Sequence, residues 1–292
     1  MISVKFVLID FHTHTTASDG TLSPSELIDR ALASNIELLA ITDHDTVAGY
    51  QAAATYYNLN PGQMRLLSGV EFSCRWSGAT LHIVGLGMDC DHPTMKSGLR
   101  TMALAREARG EKIADRLEAL GYVGALRGAL EKVGSGQLGR PHFAQWLVEQ
   151  GHVADTRRAF DRYLGRGKTG DVKTFWPDLA EVVSWITNAG GVAVIAHPLQ
   201  YRFTRTKLCR LIVDFKDSGG TAIEIVNGRQ SGDQVAQLKR AAAQYNLLVS
   251  AGSDFHRESP YGAQLGVELR ALGDLQGVWE HWTAPKSIEV HS

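Results

Sequence analysis

Apolar residues along this 292-residue chain gather into short uninterrupted runs, separated by segments of helical period. The runs at residues 5–11, 36–42, 65–71, 80–86, 191–196, 221–226 and 247–251 have strand length and are rich in Val, Ile, Leu and Ala. Such runs suit strands buried on both faces of a parallel sheet, which leaves no face for polar alternation. Between them, residues 23–34 begin Ser23-Pro24-Ser25-Glu26, which supplies an N-cap, a proline at the first helical position and an acid in the first turn. Residues 178–189 form another helical segment, ended by Gly190-Gly191. Alternation repeated this often predicts an α/β fold, either a (β/α) barrel or a doubly wound sheet.

One stretch breaks the rhythm. From Arg100 to Lys168 there is no strand run, only helical pattern with glycine punctuation. Residues 102–120 read as one long helix stopped by Gly121, a Gly134-Ser135-Gly136 turn follows, and Arg140-Pro141 opens a helix through Val148. The pattern predicts a helical insertion (cap) at 100–168 between a first barrel part, 1–99, and a second, 169–292. The insertion carries 13 Lys and Arg against 8 Asp and Glu, which leaves the remainder acidic although the whole chain has net charge −1. A solvated helix face explains part of such a bias, and an electropositive lid over an anionic substrate explains it with a function.

Composition excludes several classes. The near-zero net charge gives no global pull towards nucleic acid or anionic membrane. No apolar run reaches bilayer length, and residues 1–11 lack a signal-peptide layout. Cys74, Cys90 and Cys209 are widely spaced without a CxxC pair, against a disulfide framework and against a thiolate metal site. The expectation is a cytoplasmic protein without membrane contact or an evident obligate protein partner.

Ionisable residues cluster just past the ends of the expected strands. Asp10-Phe11-His12-Thr13-His14 and Ser18-Asp19 follow the first, and Asp43-His44-Asp45 follows the second. Glu71 ends the third, His82 lies in the fourth, His197 follows the fifth, and Asp254-Phe255-His256 follows the last. In a β/α barrel the C-terminal strand ends converge on one face, so residues far apart in sequence share a pocket. A lone strand-end Asp is commonly a helix cap and a lone His commonly a core residue. The joint pattern is different, because carboxylates and imidazoles buried together need a compensating cation. The nine candidate ligands are His12, His14, Asp19, His44, Glu71, His82, His197, Asp254 and His256. Imidazole and carboxylate without thiolate suit Mn²⁺, Fe²⁺ or Zn²⁺, and nine ligands exceed one ion's need, so two or three ions are expected.

The segments DFHTHTTASDGTLSPSELIDRA, ITDHDT, GVEFS, LHIVGL, LGRPHFA, GGVAVIAHP and AGSDFH, which span nearly the whole chain, resemble the PHP (polymerase and histidinol phosphatase) family, and within it the TrpH/YciV-type stand-alone phosphoesterases. The resemblance implies a distorted seven-stranded (β/α) barrel with a trinuclear centre, usually of Mn²⁺. By position, one ion takes His12, His14, Glu71 and Asp254, a second Glu71, His82 and His197, and a third Asp19, His44 and His256. It also implies a phosphatase that removes the 3′-phosphate of nucleoside 3′,5′-bisphosphates by a metal-activated hydroxide. No side chain is assigned as general acid.

Candidate phosphate-binding residues are Arg140, at a predicted helix start where N–H groups favour anions, with Arg106, Arg109 and Arg229, and Ser135 in its Gly-Ser-Gly turn. The first rival function is a metal-dependent 5′-3′ exonuclease on short oligonucleotides. Against it, Tyr122, Phe143, Trp146, Phe160 and Tyr163, the insertion's few aromatics, all sit at apolar helical or turn positions. A carboxamide or lactone hydrolase fits less well, since no Lys stands at a metal-motif strand end, and a non-catalytic metal-binding module is disfavoured by the intact ligand set.

Overall fold

In the computed structural model of the chain, the described residues are 7–283 apart from 135, 174, 229, 260–262 and 273–274. The apolar runs form strands and the helical segments pack outside them. The order is β1 (Leu8–Asp10), α1 (Pro24–Ala33), β2 (Ile36–Ile41), α2 (Ala48–Leu59), β3 (Arg65–Trp76), β4 (Ala79–Leu86), α3 (Pro93–Glu118), α4 (Ala125–Val133), α5 (Arg140–Glu149) and α6 (Thr156–Ala159). It continues with α7 (Leu179–Asn188), β5 (Val192–Ile195), α8 (Arg205–Asp217), β6 (Ala222–Asn227), α9 (Gly232–Tyr245), β7 (Leu248–Gly252), the two-residue β8 (Val267–Glu268) and α10 (Glu280–Thr283). Residues 5 and 6 of the first expected strand lie outside the described residues. No described helix is long and apolar enough to cross a membrane.

The strands form one sheet in the order β7-β6-β5-β4-β3-β2-β1-β8. Beyond β1 and β7 the chain closes the sheet on itself. Phe11 N donates to Ala251 O at 3.1 Å, Asp254 N to His12 O at 2.9 Å and His14 N to Phe255 O at 2.9 Å. The result is a barrel of seven strands with the short β8 added antiparallel to β1. Helix α1 starts as its sequence predicts, with Ser23 and Glu26 in a reciprocal capping box and Pro24 in the first turn.

The sheet is not uniformly parallel. β4 runs antiparallel to both β3 and β5. β3 continues past Glu71 to Trp76 and turns back through Ser77-Gly78, both at positive φ (46° and 74°), the two-residue hairpin geometry. Apolar periodicity reports burial and is blind to strand direction, so the reversal is invisible in the pattern. It has a consequence for the rim. The start of β4, with His82, lies beside the C-terminal ends of the parallel strands.

Three apolar clusters result. The largest fills the barrel and the space under α3, α7, α8 and α9. A second packs α1 and α2 on β2. The third belongs to the cap and joins Ile113, Ala114 and Leu117 of α3 to Phe143, Trp146 and Leu147 of α5. Helix α3 is continuous through residue 100: Met95, Met102 and Ala105 belong to the barrel core and Ile113 to the cap core. The change of packing partner therefore falls inside one helix, which supports the cap rigidly.

α3 reaches the barrel only because Gly98 lets it approach α7. A Cβ at Gly98 meets Trp185 Cδ2 at 2.5 Å and Cε3 at 2.6 Å. Gly98→Ala is expected to destabilise the protein by about 1–3 kcal/mol, the range for overpacking. The exposed neighbour substitution Ser97→Ala should stay within about 0.5 kcal/mol. Thermal or urea unfolding of both variants is the check, and equal stabilities would show that α3 does not rest on the Trp185 ring.

Candidate metal centre

Past β1 the segment from Phe11 to His14 stays extended, with Thr13 bridged to Phe255, so His12 and His14 project from the same side. Asp10 anchors this segment. It is fully buried and accepts from Ser253 N (2.8 Å), Gly266 N (2.8 Å) and His12 N (3.3 Å). Burial pushes its pKa up to about 6, against the lowering effect of those donors. His44 leaves the end of β2 and bridges to Glu71 of β3. His82 comes from β4, His197 follows β5 at φ 31°, and Asp254 follows β7 at φ 55°.

Glu71 is the hub. Its Oε1 lies 2.8 Å from His82 Nδ1, 2.9 Å from His197 Nε2 and 3.3 Å from His12 Nε2. Its Oε2 lies 2.9 Å from His44 Nδ1 and 3.3 Å from His14 Nε2. Asp254 Oδ1 is 3.5 Å from the Nε2 atoms of both His12 and His14. Asp19 reaches His256 at 3.3 Å and His44 and His14 at 3.8 Å. The structure thus brings all nine sequence candidates into one site. Three sets have donor atoms mutually within 4.8 Å: His14, Asp19, His44 and His256; His12, His14 and Glu71; His44, Glu71 and His82. They overlap through His14, His44 and Glu71, so the donors form one continuous field rather than three closed cages.

These atoms fit metal ions better than they fit one another. His12 Nε2, His14 Nε2, His44 Nδ1 and Glu71 Oε2 are buried with no hydrogen-bond partner, although each has an opposite group within 3.5 Å. The distances are short but the directions are wrong for a proton between them. Bonds of about 2.0–2.2 Å to a common ion would place neighbouring ligand atoms about 2.8–3.6 Å apart, the range in which the distances around Glu71 and Asp254 fall.

The metal-free electrostatics show the same strain. Burial opposes charge on His12, yet Glu224, Glu71 and Asp254 hold its pKa well above the ordinary value. His256 is likewise raised, to about 9, by Asp19 and Asp254 against its burial. His14 moves the other way, to about 3, through burial and the neighbouring His256. Glu71 and Asp254 resist burial and sit well below the carboxylate range because imidazoles surround them. Cations are needed at this site, and protons supply them when metal does not.

A ring of carboxylates stands behind the cluster. Asp43 accepts from Thr15 N and Oγ1 (2.7 Å each) and Ser18 Oγ (2.6 Å). Asp45 accepts from Ser73 N at 2.6 Å and Oγ at 3.0 Å. Neither caps α2, whose N-cap is Val47. Glu224 escapes the sequence reading. Its Oε1 pairs with His12 Nδ1 at 2.9 Å and its Oε2 accepts from His197 N at 2.6 Å. The signal was an acid in the middle of the apolar run Ala222–Val226, where a fully buried charge has no bland explanation.

The cluster opens into a cleft of ≈ 380 Å³ whose wall includes Asp19, His44 and His82 and whose roof includes Arg106, Arg109 and Arg140. All three arginines are drawn in from solvent. Arg106 places Nε and Nη2 on Asp45 Oδ2 at 2.7 and 2.6 Å, and Arg109 Nε donates to Val172 O at 2.8 Å. Arg140 Nη1 donates to Leu164 O at 3.1 Å, and its guanidinium lies over Phe160. Burial, then repulsion from Arg140 and Arg106, lowers Arg109 to about 9, so it remains charged at neutral pH without a carboxylate of its own. Ser135 and Arg229 lie outside the described residues. Aromatic lining comes from Phe160 of the insertion and also from Trp176, Tyr201 and Phe203, which lie beyond the insertion in sequence.

Residues 10–117 match the PHP domain family. The chain is 41% identical over 280 residues to the 5′-3′ exoribonuclease Rnm of Salmonella typhimurium, covering 96% of this chain and 95% of that one. It is also 41% identical over 259 residues to the 3′,5′-nucleoside bisphosphate phosphatase of Chromobacterium violaceum, covering 88% and 90%. A solved structure described as an amidohydrolase from Chromobacterium violaceum, with bound sulfate and no metal, superposes with TM-score 0.83 at 39% identity, covering 94% and 95%.

Metal and protons compete for the same nitrogens. Coordination requires neutral imidazole, whereas His12 and His256 are held protonated when metal is absent. Affinity for Mn²⁺ should therefore rise with pH through neutrality towards about 9, by about tenfold per unit for each proton displaced. His14, at about 3, adds nothing in that window. Calorimetric titration of chelated protein in two buffers of different ionisation enthalpy reads the proton release. An affinity flat from pH 6 to 8 would contradict this picture.

Proposed function

This chain belongs to the PHP domain family of metal-dependent phosphoesterases, and from that premise we propose that it removes the 3′-phosphate of nucleoside 3′,5′-bisphosphates, yielding the 5′-nucleotide. The observation that carries the proposal is a single cleft with two unlike faces, a His/carboxylate field at one wall and the buried Arg106 and Arg109 with the half-buried Arg140 in the roof. The wall takes the phosphate that reacts. The roof takes a second phosphate, whose binding energy helps to hold the first in place.

In this reading His12, His14, Asp19, His44, Glu71, His82, His197, Asp254 and His256 hold two or three divalent ions, with Mn²⁺ favoured. Such ions supply an activated water and neutralise phosphoryl oxygens. The chain's own work is orientation. Glu224 accepts the Nδ1 proton of His12 and so turns the free lone pair of Nε2 towards Glu71 and Asp254. Asp43 fixes the 15–18 loop that carries Asp19, and Asp45 ties His44's loop to Arg106 in the roof. Arg140 sits in the first turn of the ten-residue α5, where backbone N–H groups add to the pull on an anion. Free cysteines and nucleotide chemistry together support a cytoplasmic setting.

A second reading is favoured by a specific observation. The cleft is lined by Phe160, Trp176, Tyr201 and Phe203, residue types on which bases stack, with cationic side chains over the rings of Phe160, Trp176 and Phe203, and the exoribonuclease relatives share up to 42% identity. A 5′-phosphorylated oligonucleotide presents the same 5′-phosphate and the same ester at the 3′-oxygen. Its hydrolysis is the same reaction with a longer substituent on the phosphate.

His14→Ala, Glu71→Ala and Asp254→Ala should each abolish turnover, and the purified enzyme should contain two or three transition-metal ions per chain. Full activity with less than one ion by elemental analysis would refute the cluster. Adenosine 3′,5′-bisphosphate should show far higher kcat/KM than 3′-AMP, and Arg140→Ala should raise KM for the former while sparing a simple aryl phosphate. Equal kcat/KM for the two nucleotides would mean that the 5′-phosphate goes unread.

A further inference from the structure

A second pocket, of ≈ 380 Å³, opens beside Asp254. Gln200 lines both this pocket and the arginine-roofed cleft, so the two adjoin there, each with candidate metal ligands in its wall: Asp19, His44 and His82 in the cleft and Asp254 in the pocket. Their chemistry differs. The cleft carries several cationic side chains, whereas the second pocket is walled by the carboxamides of Gln200, Asn227, Gln230 and Gln234, with Asp254 its one charged group among the described residues. The carboxamides suit a neutral group rich in donors and acceptors.

Asn227, the last residue of β6, is only 6% exposed, and its Nδ2 has no hydrogen-bond partner. Its other groups are engaged: Gln230 Oε1 accepts from Asn227 N at 2.9 Å, and Gln200 Nε2 donates to Asn227 Oδ1 at 3.5 Å. The carboxamide is thus held by its oxygen while its donor edge is left over. An unmet buried amide donor is unfavourable by about 1–3 kcal/mol, and an acceptor on a ligand removes that penalty.

We propose that this pocket receives the nucleoside that follows the reacting phosphate in a 5′-phosphorylated oligonucleotide, with Asn227 Nδ2 donating to a ribose or base oxygen. The proposal rests on the reading of the cleft given above and extends it to a second nucleotide. The 5′-terminal nucleotide lies in the cleft with its 5′-phosphate under the arginines. The next phosphate sits at the His/carboxylate wall, and its 5′-oxygen leads into the carboxamide pocket. Water adds its oxygen to phosphorus, the bond to the 3′-oxygen breaks, and that oxygen takes a proton. The products are a 5′-nucleotide and an oligonucleotide shorter by one, which again carries a 5′-phosphate and is a substrate for the next round. A bisphosphate undergoes the same bond cleavage and leaves the pocket to water.

The test compares adenosine 3′,5′-bisphosphate with the 5′-phosphorylated dinucleotide pApA, on wild-type, Asn227→Ala and Gln234→Trp holoenzyme. Gln234 is exposed in the first turn of α9, so its replacement by Trp fills the pocket without disturbing a strand. Both variants should lose about tenfold or more in kcat/KM for pApA, as expected for a lost buried hydrogen bond or a blocked site. They should stay within about twofold for the bisphosphate, with metal content unchanged. If wild-type enzyme hydrolyses the bisphosphate but not pApA, this proposal fails while the phosphatase reading stands. Failure on both substrates overturns both readings. Equal losses on both, or lost metal, would mean that Asn227 acts through the metal wall, which also overturns the proposal.

Discussion

A wholly buried glutamate within 3.3 Å of five imidazoles is the constraint that organises this molecule. A carboxylate in that position is tolerable only if positive charge surrounds it, and the imidazoles and carboxylates together need cations between them, whether protons or metal. The ends of β1, β2 and β5, the middle of β3 and the start of the reversed β4 must therefore meet at one rim around Glu71. The barrel closure between the β1 and β7 extensions contributes to this at a crowded point. There Gly252 lies against His12, and a Cβ on that glycine meets the His12 backbone N at 2.5 Å. The fold and the donor field are two descriptions of one arrangement.

Much of this arrangement is legible in the residues. His12-x-His14 and Asp254-x-His256 are local patterns, and an apolar run before each of them places it at a strand end. Other parts depend on partners far away in sequence. His82 reaches the rim because β4 is reversed, and nothing in the run Ala79–Leu86 encodes direction. Arg106 looks like an exposed helix residue until α3 is seen to cross Asp45, a partner 61 residues earlier. Glu224 and Asn227 sit on a strand that the sequence shows as apolar, and their roles come from neighbours on β1, β5 and the segment after β5. Periodicity predicts what each element buries. It does not say whom that element meets.

The Asp45–Arg106 pair gives the cleft its mechanical character. Asp45 is the residue after His44, and Arg106 lies on the helix that bears the cap, so roof and metal wall are joined by a buried, charge-assisted contact. Arg106 also donates to Leu138 O at 3.0 Å, which fixes the loop leading into α5 and Arg140. The pair neutralises part of the roof's charge, and Arg109 and Arg140 retain the remainder. Breaking one partner would leave the other buried without compensation, a change that costs several kcal/mol in known cases. Specificity for an anion and placement of His44 thus share a residue pair.

The Arg109–Val172 hydrogen bond has a separate consequence. It joins the helix that enters the cap to the segment that leaves it, across 63 residues, and Arg116 makes a similar tie to Thr169 O at 2.9 Å. The excursion therefore begins and ends at one place on the barrel. For a segment anchored this way, a change in length alters the closure entropy only logarithmically, by about 0.6 kcal/mol per doubling. It also packs around an apolar cluster of its own. Such a cap can be enlarged, trimmed or exchanged over evolutionary time while the barrel beneath it stays the same, so the architecture separates inheritance of the chemistry from inheritance of the substrate.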